Sequence, residues 1–171
     1  IFILGLSALL VYRTVGVQSR QMTGLTKIPE LPLQDSVLHR LSSAIQCRTI
    51  SYSDPTMIDS AQFQKFIDFI QQSFPNVHSQ LAQEKVNTYA LLYEWKGKNP
   101  SLKPALLMGH YDVVPVIQGT ERLWEHKPFE GEIVDNFVYG RGSLDDKTTV
   151  MGVLEAVEYL LASGFQPERT F

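Results

Sequence analysis

The sequence predicts an α/β fold, a sheet with helices packed against it. Three observations lead there. Segments rich in branched and aromatic residues, "VNTYALLYEWKG", "PALLMGHYDVVPV" and "GEIVDNFVYGRG", read as strands. They are flanked by stretches with helical apolar spacing, at residues 35–47, 60–74 and 145–164. The two patterns follow one another along the chain, which argues for helices layered on a sheet rather than for a bundle or a sandwich of strands.

The chain opens on "IFILGLSALLVY", twelve residues diluted only by Gly5 and Ser7. A membrane span needs about 20 apolar residues, and the apolar part of a signal peptide about 7–15. The segment is read as an N-terminal membrane anchor, with a signal peptide as the alternative, so a membrane-anchored or secreted protein is expected. Arg13 and Arg20 lie just beyond the apolar run. "TKIPELPLQ" carries two prolines and no periodicity, which makes a linker. Residues 1–34 are therefore expected as anchor and linker, and 35–171 as part of the α/β domain.

In the first helix Val37, Leu38, Leu41, Ala44 and Ile45 share a face, with Asp35 or Ser36 as its cap. The loop "CRTISYSDPTMID" follows. A second helix over 60–74 carries Phe63, Phe66, Ile67, Ile70 and Phe74 on one stripe, a core face, and Pro75 ends it. One strand is expected over 86–97 and another over 104–116. Residues 117–130 read as loop. Two short strands then flank an Asp135-Asn136 turn. The last helix buries Val150, Val153, Leu154, Val157, Leu160 and Leu161, and Gly164 suits its left-handed stop.

With 171 residues, 44% hydrophobic and 19% charged, the chain is globular in composition. The net charge of −3 and the lack of any basic block interleaved with aromatics speak against nucleic acid. A single cysteine, Cys47, excludes an internal disulfide and reads as a small core residue.

The chemistry lies in two short stretches. "LLMGHYDVVPV" is an apolar run that delivers His110 and Asp112 at i and i+2. On extended chain such residues share a face, with Cα atoms roughly 6–7 Å apart. A neutral imidazole is the commonest protein metal ligand, and a neighbouring carboxylate can accept its second N–H and fix its tautomer. A surface His–Asp pair in a loop would use the same residues. "YGRGSLDDK" places Asp145 and Asp146 at the mouth of the last helix. There the helix dipole favours an ionised carboxylate fit for metal. Ser143 or Asp145 could equally be an N-cap. Gly140 and Gly142 permit tight turns just before.

Together these stretches match a family. His110-Tyr111-Asp112-Val113-Val114-Pro115 resembles the H-x-D-x-V-P signature of the co-catalytic zinc exopeptidases, which include carboxypeptidase S, aminoacylase-1 and succinyl-diaminopimelate desuccinylase. Gly140 to Lys147 resembles their G-R-G-x-x-D-x-K signature. "WEHKPFEGEIVDNFVYGRGSLDDK" is most similar to the carboxypeptidase S branch. The resemblance covers roughly residues 35–171. It implies a three-layer sandwich, a mixed sheet with helices on both faces, here incomplete and without the lid and dimerisation domain.

It also implies roles. His110 binds one zinc. Asp145 bridges two, often through a cis peptide to Asp146. Asp112 is the active-site aspartate hydrogen-bonded to His110. The implied cofactor is zinc, two ions per complete site. The implied reaction is hydrolysis of a peptide or N-acyl amino acid beside a free carboxylate, by a full-length protein that is a possible homodimer. The family further uses a Glu-Glu pair, supplying the general base and a ligand, in the strand after the last helix, and a distant His. Neither can be placed in these residues, so the chain is read as an N-terminal fragment. Glu155, Glu158, Glu130 and Glu132 are read as solvated or unremarkable charges, His39 and His78 as surface residues, and His126 as outside the site. The alternative is a non-catalytic, membrane-tethered binding module with a partial metal site.

Overall fold

The computed structural model describes residues 2–19, 21–27 and 34–171. Arg20 and residues 28–33, which hold the prolines of the expected linker, lie outside the described residues. The chain divides into two compact units, Ile1–Pro32 and Leu33–Phe171. In the first, the apolar run forms helix α1, Phe2–Val15, with no buried residue. Its fourteen residues extend about 21 Å at 1.5 Å per residue. Among the described residues no helix is long and apolar enough to cross a membrane.

The second unit is built on helices α2 (Asp35–Gln46), α3 (Ser60–Ser73), α4 (Pro75–Gln80) and α5 (Lys147–Ala162). Neither Asp35 nor Ser36 caps α2. Gln34 occupies that position without a side-chain bond, and Asp35 sits in the first turn, where its charge meets the positive end of the helix. Helix α3 is capped by Asp59, whose carboxylate accepts from the Ala61 N–H, and buries Phe63, Phe66 and Ile70 as its spacing requires. Pro75 does more than end α3. It is the first residue of α4, where its fixed φ and missing N–H cost nothing.

Helix α5 closes the core. Met151, Leu154 and Leu161 pack with Ala44, Cys47, Phe66 and Phe74. Of the expected face, Leu154 and Leu161 are buried, while Val150, Val153, Val157 and Leu160 are half-buried. The innermost stripe runs instead through Lys147, Met151, Leu154 and Leu161, at alternating steps of four, three and seven residues. The helix ends as the sequence requires. Gly164 takes φ +73°, its N–H donates to Leu161 O, and the Phe165 N–H reaches back to Leu160 O at 3.0 Å.

The α/β class stands, with the strands gathered as two antiparallel hairpins. One strand is expected over 86–97, but the structure forms β1 (Ala82–Val86) and β2 (Ala90–Glu94) about a turn with Asn87 at φ +53°. Strands β3 (Glu132–Val134) and β4 (Phe137–Tyr139) pair Val134 with Phe137 across Asp135 and Asn136, both at positive φ, as the turn residues dictate. Beyond β2, Trp95 and Phe171 exchange both backbone hydrogen bonds, at 2.9 and 3.0 Å.

The strand expected over 104–116 does not form as a ladder. The Ala105 N–H donates to Thr170 O, and Val113 bridges Ile50 in parallel. Between them residues 106–112 carry no strand pairing among the described residues. A strand is defined by its neighbour, and the apolar content of Leu106–Met108 does not supply one. Leu106 and Met108 are exposed.

Candidate active site

The segment 110–112 is fastened from the side by residues 49–51. The Val113 N–H donates to Thr49 O at 2.9 Å and the Ser51 N–H to Val113 O at 3.0 Å. Thr49 is fully buried, and its hydroxyl donates to Tyr111 O. Tyr111 points the other way from its neighbours. It stacks on Phe66, centroids 4.5 Å apart and planes 10° off parallel, and its hydroxyl donates to Tyr89 O. Burial pushes the Tyr111 phenol up to about 12. With Tyr111 anchored in the core, alternation turns His110 and Asp112 outward together.

Both nitrogens of His110 face oxygen. Nδ1 lies 3.0 Å from the Asp112 carbonyl and 3.3 Å from its carboxylate Oδ1. Nε2 lies 3.0 Å from Asp145 Oδ1. The Asp146 carboxylate accepts the His110 backbone N–H at 3.3 Å. Desolvation is the largest single effect on the ring and opposes the charged imidazole. The Asp112 carbonyl, the Asp145 hydrogen bond and the two carboxylate charges outweigh it, so the ring is held above the usual histidine range. The Thr149 hydroxyl, and after it the His110 N–H, hold Asp146 below the usual carboxylate range.

Asp145 arrives from the second stretch. The Asp145–Asp146 peptide is cis. Gly142, at φ +89°, lies so close that a Cβ there would meet Val113 Cγ1 at 2.7 Å. The glycine therefore lets the two motifs touch. Helix α5 begins at Lys147 with Asp146 at its cap position, so neither Ser143 nor Asp145 caps it. The Lys147 side chain, fully buried, donates from Nζ to the carbonyls of Ala44 at 2.8 Å and Cys47 at 2.6 Å. These are acceptors at the end of α2, so the lysine ties the start of α5 to the end of α2. Burial brings its ammonium down to about 8, against the charges of Cys47 and Asp112.

The three site residues named from sequence therefore come together, His110 in the middle. Two donors that share a zinc at about 2.0–2.2 Å each stand about 3–3.5 Å apart, and the His110–Asp145 separation of 3.0 Å fits. The Asp145 side chain is 89% exposed and open to an ion. Asp112 sits at the other nitrogen, where a carboxylate sets the tautomer of a metal-binding imidazole. Among the described residues no group of three or more His, Cys, Asp or Glu side chains is placed to hold a metal. His110 and Asp145 alone are fewer than the three or four protein ligands that zinc sites use.

Several other readings change. Glu155 is not a solvated charge. It takes a two-pronged ion pair from Arg40, at 2.5 and 2.6 Å. Glu158 accepts from Asn76 and from the Val77 N–H at the start of α4. Both occupy the side of α5 that packs on α2 and α4. His78 is half-buried between Phe74 O and the Tyr93 hydroxyl. His39 is exposed as expected. His126 pairs with Glu132 at 2.8 Å and stacks on Tyr139, with no contact to His110. Sequence reasoning missed Thr49 and Ser51. Their one signal, a branched pair in "RTIS", is too short to separate from loop.

Residues 106–171 match the family model described as Peptidase family M20/M25/M40. Carboxypeptidase S of Saccharomyces cerevisiae is 42% identical over 144 residues, covering 80% of this chain and 25% of that protein. The N-fatty-acyl-amino acid synthase/hydrolase PM20D1 of Mus musculus is 39% identical over 163 residues, 92% of this chain and 32% of that one. The crystal structure of the M20 family metallo-carboxypeptidase Sso-CP2 from Sulfolobus solfataricus superposes with a TM-score of 0.54 at 25% identity, over 77% of this chain and 28% of its own. The chain spans about a quarter to a third of the length of the curated relatives it matches. The His110 and Asp145 motifs both lie inside the stretch, residues 106–171, over which the chain is similar to peptidase family M20/M25/M40.

Proposed function

We propose that the complete protein is a zinc-dependent hydrolase of peptides or N-acyl amino acids, and that this chain supplies part of its metal site. One observation carries the reading: His110 stands between Asp112 at Nδ1 and Asp145 at Nε2. His110 and Asp145 would be metal ligands, with Asp145 bridging two zincs. When bound, zinc supplies Lewis acidity to the amide carbonyl and acidifies water. Asp112 holds the Nδ1 proton, which leaves the Nε2 lone pair free for metal. Lys147 and Gly142 keep Asp145 within reach of His110. The general base and the remaining ligands belong to residues outside these 171.

The relatives' names divide the substrate class between carboxypeptidase and N-fatty-acyl amino acid hydrolase. Attachment to a membrane through α1 is a further part of the proposal, supported by the exposure of Phe2, Ile3, Leu4 and Val11. A homodimer is carried over from the family resemblance. The test is to assay the full-length protein on dipeptides and N-fatty-acyl amino acids before and after chelation. Hydrolysis of either class that chelation abolishes and zinc restores is the expected result. No metal-dependent hydrolysis of either contradicts the proposal, and a partial-site binding module then stands.

A further inference from the structure

We infer that Ser51 is a positioning residue for the metal site, acting through Asp112. The inference rests on the functional reading above and adds a residue to it. The Ser51 hydroxyl donates to Asp112 Oδ2 at 2.6 Å, while Oδ1 of the same carboxylate lies 3.3 Å from His110 Nδ1. One oxygen is thus clamped and the other presented. The clamp is set by the backbone and not by a wandering side chain. The Ser51 N–H donates to Val113 O, the Val113 N–H to Thr49 O, and Ile50 bridges Val113. Ile50 pairs with Val113 in parallel, so residues 51 and 112 flank that pair diagonally and share its other face.

Asp112 needs such a partner. Its side chain is 43% exposed, and a half-exposed carboxylate turns about its last torsion unless both oxygens are engaged. A turned carboxylate no longer holds His110 Nδ1, and the imidazole loses the partner that aims Nε2. A donor at residue 51 therefore bears on metal binding at a nitrogen it never touches. Groups that orient a metal-binding histidine typically change metal affinity or activity about 10–100-fold when removed.

The experiment uses the full-length protein with zinc and the variants Ser51→Ala and Ser51→Thr. Zinc affinity is read by competition with a chromophoric chelator, and kcat and KM are read on the substrate the wild type hydrolyses. Ser51→Ala is expected to weaken zinc binding about tenfold and to lower kcat about tenfold with KM within about twofold. Ser51→Thr, which keeps the hydroxyl, is expected within about threefold of wild type. In an Asp112→Asn background the Ser51→Ala loss is expected to shrink below about twofold, because the two act through one contact. Should Ser51→Ala not fold, Ser51→Cys takes its place, keeping the shape with a much weaker donor. Unchanged zinc affinity and kcat in Ser51→Ala would overturn the inference, as would Ser51→Thr failing as badly or the loss persisting beside Asp112→Asn. A wild type that binds no zinc overturns the functional reading and this inference with it.

Discussion

Lys147 Nζ donates to the Cys47 carbonyl at 2.6 Å, across a core that leaves the lysine no exposed surface. The ammonium also reaches Ala44 O and lies 5.4 Å from the Phe66 ring centroid. A lysine this deep serves as a donor for the end of α2. Lys147→Met keeps the stem's packing and removes the donor from two buried carbonyls. Stability is expected to fall by about 1–3 kcal/mol, the cost of leaving buried acceptors unpaired. Chemical denaturation of variant and wild type measures it, and an unchanged midpoint contradicts this role.

Glu158 is expected to matter to stability for a related reason. Its two oxygens accept from Asn76 N at 3.0 Å, Asn76 Nδ2 at 2.7 Å and Val77 N at 2.9 Å, which satisfies N–H groups that a helix start leaves open. Glu158→Ala removes a cap supplied from another helix, at a cost of about 1–2 kcal/mol. Glu158→Gln, which still accepts, should lose less. Thermal unfolding of the pair ranks them, and equal midpoints would show the contacts idle.

Cys47 is 1% exposed, and burial pushes its thiol above the usual range, with Lys147 opposing. The native thiol is expected to resist a water-soluble thiol reagent near pH 8 and to react fully once unfolded. The sign with pH follows. The unfolded chain ionises its thiol first, so above the ordinary thiol range it binds fewer protons than the native state, and stability falls as pH rises there. Rapid native labelling contradicts the burial.

The site was legible in the sequence where residue type states a need. Spacing alone puts His110 and Asp112 on one face, while the tie to Asp145 rests on the resemblance of its motif to a known signature. Asp135 and Asn136 announced their turn because few other residues accept positive φ. What stayed hidden depends on partners distant along the chain. Nothing local tells that Lys147 turns inward, since a lysine is paired inside only when carbonyls from another helix end are waiting. Strand β1 is exposed along its whole length, so it carries no apolar alternation to read. The stretch 106–112 has the composition of a strand, but its fastening to residues 49–51 is a matter of tertiary pairing.

Asp112→Asn separates orientation from ligation. The amide keeps the shape, yet it can donate toward Nδ1 as well as accept, and so relaxes the tautomer. Activity of the full-length protein is expected to fall about tenfold or more while zinc, though bound about tenfold more weakly, still fills the site at saturating metal. Equal loss of zinc and activity would make Asp112 a ligand instead, and wild-type turnover would refute its orienting role.

The central claim is that His110 and Asp145 hold metal together. The measurement is zinc content, by elemental analysis, of the full-length wild type and of Asp145→Ala after dialysis against metal-free buffer. The account predicts bound zinc in the wild type and its loss in the variant with the fold intact by circular dichroism. Zinc retained at wild-type stoichiometry in Asp145→Ala would contradict it.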